Sequence, residues 1–98
     1  MTSVAATERE IRDQLLSLLV ERNTSNDLIA EEFRLDTGST RIDVIQLGTE
    51  LVGYEIKSEQ DTCARLANQL HAYNRVFDRL CRVLDPRRVA QAQALRAP

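Results

Sequence analysis

The chain is poor in the residues that usually announce a function. It has two cysteines, Cys63 and Cys81. Neither belongs to a CxxC motif or to a Cys/His zinc spacing, which excludes a zinc finger and a disulfide-dense secreted scaffold. Both are expected to be free, buried thiols in a cytoplasmic protein. His71 is the single histidine. Nothing at ligand spacing accompanies it, so a satisfied or solvent-facing side chain is expected rather than a metal ligand. With three glycines and two prolines, the chain holds no Gly-rich phosphate loop and no GxSxG elbow. No apolar run approaches the ~20 residues of a membrane span, so no membrane partner is expected. The N-terminus has early acids and no unbroken apolar stretch, which argues against a signal peptide.

What remains is one domain of 98 residues, 43% hydrophobic and 29% charged, an ordinary globular composition. Charge is unevenly placed. Residues 1–60 carry twelve acids against six bases, and residues 61–98 carry three acids against seven arginines. An acidic half beside a basic half suits a metal site next to a phosphate-binding face, although a solvated surface produces the same statistic. Twelve of the basic residues are arginine and one is lysine, Lys57. Lysine is a compact ammonium with an adjustable pKa, whereas arginine is a permanently charged planar fork. A lone lysine therefore suggests a role arginine cannot fill.

Periodicity lays out the elements. Thr7 and Glu10 have the spacing of a capping box. Ile11, Leu15, Leu16, Leu18 and Leu19 then form an apolar stripe, which predicts a helix over 7–22. Residues 23–27 break it. Residues 28–35 alternate, with Ile29, Phe33 and Leu35 on one face and Glu32 and Arg34 on the other, the pattern of a half-buried strand. A turn over 36–40, strands over 41–47 and 51–57 and a hairpin at Gly48-Thr49-Glu50 complete a three-stranded meander. Ser58 or Asp61 can cap a helix over 61–78 with Leu66, Leu70, Tyr73 and Phe77 along one line. A short strand over 80–84 precedes a C-terminal helix or tail over 86–98. The order is α-β-β-β-α-β, an α/β domain with a small mixed sheet.

One constellation could carry chemistry. Glu55 and Lys57 are two apart on a strand, so they share a face about 6.5 Å apart. Asp43 sits on the antiparallel neighbour. Two carboxylates from adjacent strands with a lysine beside them suit Mg²⁺, whose waters and substrate phosphate would complete an octahedron. Exposed cross-strand ion pairing explains the same residues without chemistry.

Asp43 followed by Glu55-Ile56-Lys57 resembles the D…(D/E)xK signature of the PD-(D/E)XK nuclease superfamily. Gln69-Leu70-His71-Ala72-Tyr73 is similar to the QxxxY motif of its RecB-like branch. The resemblance covers about residues 30–84 and implies a restriction-endonuclease-like core. It implies Asp43, Glu55 and Glu32 as metal ligands, with Glu31 the alternative to Glu32. Lys57 would serve the attacking water, and Gln69 and Tyr73 would orient the site. Arg65, one turn before Gln69, could reach a phosphate. Independently of the resemblance, Arg75, Arg79, Arg82, Arg87 and Arg88 could bind backbone phosphates, and a solvated helix face explains them equally well.

Two functions are thus expected to compete. One is a Mg²⁺-dependent nuclease (with Mn²⁺ as a substitute) acting on nucleic acid, DNA more than RNA, with little sequence specificity. A homodimer could bring two such sites together. The other is a catalytically inactive interaction or regulatory subunit of a nucleic-acid-processing complex on the same scaffold.

Overall fold

The structure, a computed structural model, describes residues 6–34, 41–56, 59–65 and 77–89, with Arg65 described by its backbone alone. Its elements are helix α1 (Glu8–Arg22) and strands β1 (Leu28–Arg34), β2 (Arg41–Leu47), β3 (Leu51–Ile56), β4 (Thr62–Arg65) and β5 (Arg79–Val83). A 3-10 turn at Pro86–Arg88 follows. The capping box forms as expected: the Glu10 N–H donates to Thr7 Oγ1 at 3.1 Å and the Thr7 N–H to Glu10 Oε1 at 2.9 Å. Those bonds satisfy donors that the first helical turn leaves without partners.

The five strands stand in the order β1-β2-β3-β5-β4. Neighbours are antiparallel except β3 and β5, which run parallel. This is a small α+β fold with one helix and a mixed sheet among the described residues. It differs from the expected order at residues 62–65, which form an edge strand rather than the start of a helix. Asp61, expected as a helix cap, instead accepts from the Leu84 and Asp85 N–H groups, each at 2.8 Å, and ties the start of β4 to the end of β5. The predicted turn over 36–40, the helix over 66–76 and the tail beyond residue 89 lie outside the described residues.

Rows of register partners cross the sheet and define its two faces. Glu31, Val44, Tyr54, Cys81 and Cys63 make one row, and Ala30, Ile45, Gly53, Leu80 and Ala64 the next. Val44, Tyr54, Cys81 and Cys63 pack with Ile11, Leu15 and Leu19 of α1. Ala30, Ile45 and Leu80 pack with Phe77, Phe33 and Ile42 on the other side. Burying each large aliphatic chain contributes about 1.5–3 kcal/mol, so the two clusters supply most of the drive for this topology.

Strict alternation fails at one place. Ile29 packs on the α1 face and Phe33 on the Phe77 face, although they are four apart. Ile42 and Ile45, three apart, share the Phe77 face. The ladder skips the pair Glu32 and Asp43 that lies between these positions. Glu32 has φ of 53°, a left-handed backbone that a side chain with Cβ adopts at a cost of about 1 kcal/mol or more. The local reversal turns Glu31 and Glu32 together toward α1, which a period-two pattern does not anticipate.

The two cysteines, expected as thiols, are paired instead. They are register partners on β4 and β5, their Cα atoms are 4.0 Å apart, and they form a disulfide. Periodicity misses this because its apolar line places residues 62–65 on a helix, where Cys63 has no strand neighbour.

Candidate functional site, an arginine held by four carboxylates

Arg12 lies on the same helical stripe as Ile11 and Leu15 and is only 5% exposed. A guanidinium taken from water must be paired and hydrogen-bonded, or the desolvation cost dominates. Four carboxylates from three elements meet that demand. Arg12 Nη2 donates to Glu8 Oε1 at 2.8 Å and to Asp43 Oδ1 at 3.3 Å. Arg12 Nη1 donates to Glu32 Oε2 at 3.2 Å and to Glu31 Oε1 at 3.5 Å. The Nε atom is buried without a hydrogen-bond partner. Burial pulls the guanidinium pKa down, but the bonds and charges of Glu8 and Glu32 outweigh it, and the net shift is upward.

The surrounding charges extend this hub outward. Arg41 reaches Glu32 at 3.4 Å, and Arg9 reaches Asp13 at 3.4 Å and Glu31 at 3.9 Å. Asp43 also serves the sheet. Its Oδ2 accepts the Ile56 N–H at 2.9 Å, where the β2–β3 pairs have ended at Val44 and Tyr54. One carboxylate therefore joins α1, β2 and β3. The strained Glu32 and the skipped ladder pair are what aim these acids at a single point.

The residues singled out from the sequence are distributed as follows. Asp43 and Glu55 lie on adjacent strands, as expected, but Asp43 is taken up by Arg12 and Ile56, and Glu55 enters none of the hub contacts. Glu32 and its alternative Glu31 both converge on Arg12. Lys57, Gln69, His71, Tyr73 and Arg75 lie outside the described residues, and Arg65 sits on β4 with its side chain undescribed. Arg79, expected at phosphate, is largely buried and pairs with Glu50 at 3.0 Å. It borders a polar cavity of about 290 Å³ with Gln46, Asp27 and Tyr54. There the Tyr54 hydroxyl donates to Gln46 Oε1 at 3.3 Å, and Gln46 Nε2 donates to Asp27 Oδ2 at 2.9 Å.

Arg12 itself was missed by sequence reasoning, though a signal existed. It interrupts an otherwise apolar helical stripe, and Glu8 stands one turn before it at salt-bridge spacing. A charge on a core-facing stripe asks for buried partners.

The implied Mg²⁺ site does not fit this arrangement. A cation belonging to the chain already sits where the carboxylates converge, so an added divalent ion would compete with it for Glu32 and Asp43. Among the described residues, no group of three or more His, Cys, Asp or Glu side chains could hold a metal ion.

Fold and site together define a class: a small α+β domain organised around an internal arginine–carboxylate hub. Residues 1–96 match the profile of the family described as Bacteriophage P4 protein cII, and the chain belongs to that family. That match corrects the resemblance to PD-(D/E)XK nucleases, together with the nuclease activity drawn from it. The D…ExK and QxxxY patterns weigh five positions, whereas the profile weighs nearly the whole chain. Comparison with curated proteins and with solved structures gives no match. No helix of the described residues is long and apolar enough to cross a membrane.

Proposed function

We propose that this chain is a non-catalytic regulatory module of a bacteriophage system and that it acts by binding DNA. The observation that supports the reading is the commitment of Asp43 and Glu32, two of the three expected metal ligands, to Arg12. The family supports a phage setting. Exposed arginines in the C-terminal part of the described chain support the choice of partner. Arg82 on β5 and Arg87 and Arg88 in the 3-10 turn are exposed. Arg87 is held by Asp85 at 2.8 Å, and the charge of Arg88 also acts on that carboxylate. Exposed guanidiniums on one segment attract phosphates through counterion release and need no base contacts.

The test is fluorescence anisotropy with a labelled DNA duplex between about 50 and 200 mM salt, the range over which electrostatic binding falls steeply. Binding is expected to persist in EDTA. Arg82→Ala with Arg88→Ala should weaken it by about tenfold and lower the log–log salt slope by about 2. No binding to duplex or single-stranded DNA at low salt would overturn the proposal. So would Mg²⁺-dependent cleavage of plasmid that disappears in Glu55→Ala.

A further inference from the structure

We propose that Cys63 and Cys81 form a reversible redox clamp that holds the edge strand β4 on the sheet and releases it on reduction. Strand β4 is weakly held. It is four residues long and, among the described residues, pairs with β5 alone. Its described attachments are the register with β5, the Asp61 carboxylate on the Leu84 and Asp85 N–H groups, and the disulfide. Short edge strands open locally at far lower cost than the whole domain, because few backbone bonds and little buried surface are lost.

That local opening decides the chemistry. Both cysteines are essentially inaccessible, at 1% and 0% exposure. A thiolate must approach a disulfide sulfur directly to exchange with it. Fraying of β4 uncovers the Cys63 sulfur while β5, paired along Arg79–Val83 with β3, stays in place. The bond is thus shielded in the closed state and open to attack in an accessible minor state. The reduced pair fits the same surroundings. Cys81 and Cys63 continue the row from Val44 and Tyr54, and two thiols there are small apolar groups. The domain therefore keeps its core in both states, and what changes is the hold on β4.

Electrons and atoms balance with a small-molecule thiol of the glutathione class. Its thiolate attacks one sulfur, the Cys63–Cys81 bond breaks, and a mixed disulfide forms with release of one cysteine thiolate, which takes a proton from water. A second small thiolate attacks the mixed disulfide and frees the other cysteine, which is protonated in turn. Two small thiols are oxidised to one small disulfide, and two electrons reduce the protein pair. The reverse sequence closes the clamp. The 18-residue separation means that closure removes a loop's freedom from the open ensemble.

The experiment equilibrates the full chain across a series of reduced and oxidised glutathione ratios. Alkylation and mass spectrometry read the thiol state, and amide hydrogen exchange reads each strand. A single two-electron transition within that series is expected. Thr62–Arg65 amides should exchange at least tenfold faster in the dithiol form, with α1 and β2 unchanged. Cys63→Ser with Cys81→Ser should show the fast β4 exchange whatever the glutathione ratio. Thiols that remain alkylatable at every ratio overturn the proposal. It also fails if the bond resists reduction until the protein unfolds, or if β4 exchange is the same in both states.

Discussion

Arg12 shows how one side chain can set the meaning of four others. A guanidinium is a planar fork with five donors, and four carboxylates on α1, β1 and β2 share four contacts to its two terminal nitrogens. Arg12→Met preserves much of the volume and removes the charge, leaving Glu8, Glu31, Glu32 and Asp43 to repel one another. Breaking a fully buried pair costs about 3–5 kcal/mol. These acid side chains are 31–44% exposed, so water screens part of the repulsion. The expected loss is about 2–3 kcal/mol. Urea denaturation at neutral pH measures it, and a loss below about 1 kcal/mol would sink the hub as a stabilising centre. The orphaned Nε atom and the positive φ of Glu32 are the local costs of gathering these groups.

Single elements carry two further expectations. The cap of α1 links the helix to pH. Backbone and side-chain hydrogen bonds from Thr7 hold the Glu10 carboxyl below its usual range. A depressed pKa means that the contribution is present above the unfolded value, about 4.3, and is lost as pH falls through the lower folded value. Thermal unfolding followed from neutrality down to about pH 3 should therefore show Tm falling at the acid end. Glu10→Gln keeps the reciprocal bonds and removes the titration, so its acid slope should be shallower. An unchanged slope would place the acid sensitivity elsewhere. In the sheet, Gly53 is the centre of the Ala30–Ile45–Gly53–Leu80–Ala64 row. A Cβ there would meet Phe77 Cε1 at 3.1 Å and Ile42 Cγ2 at 3.3 Å. Gly53→Ala should cost about 1–3 kcal/mol by overpacking, read as a lower urea midpoint at unchanged slope. Neutral behaviour would mean that the Phe77 ring yields freely.

For the molecule as a whole, the division of labour follows the two sheet faces and the two halves of the charge. Helix α1 covers one face and brings Arg12 over the acidic end of β1 and β2. Phe77 packs on the other face against Ile42 and Ile45. Five carboxylates of the acidic half, Glu8, Asp13, Glu31, Glu32 and Asp43, are engaged by Arg9, Arg12 and Arg41, while that half keeps twice as many acids as bases. Among the described residues, the exposed arginines of β5 and the following turn can attract an anionic polymer despite a net charge of −2. The same strand carries Cys81 toward β4 and Arg82 toward solvent, so the redox clamp and the proposed DNA face share β5.

The α1 helix with its Thr7–Glu10 cap, the β2–β3 hairpin across Gly48–Glu50 and the neighbouring of Asp43 and Glu55 could all be read from the sequence. Each depends on residues close along the chain or on a two-residue strand period. Four features depend on partners distant along the chain or on local backbone reversal: the carboxylates that Arg12 gathers, the reversal at Glu32, the strand at Thr62–Arg65 and the bond between Cys63 and Cys81. Arg12 meets Asp43 from 31 residues away, and Cys63 meets Cys81 across a separation of 18. A short motif records which groups are present along the chain, but the charge partner of a carboxylate is whatever packing brings nearest. For Asp43 and Glu32 that partner is a guanidinium delivered by α1, and tertiary structure alone decided it.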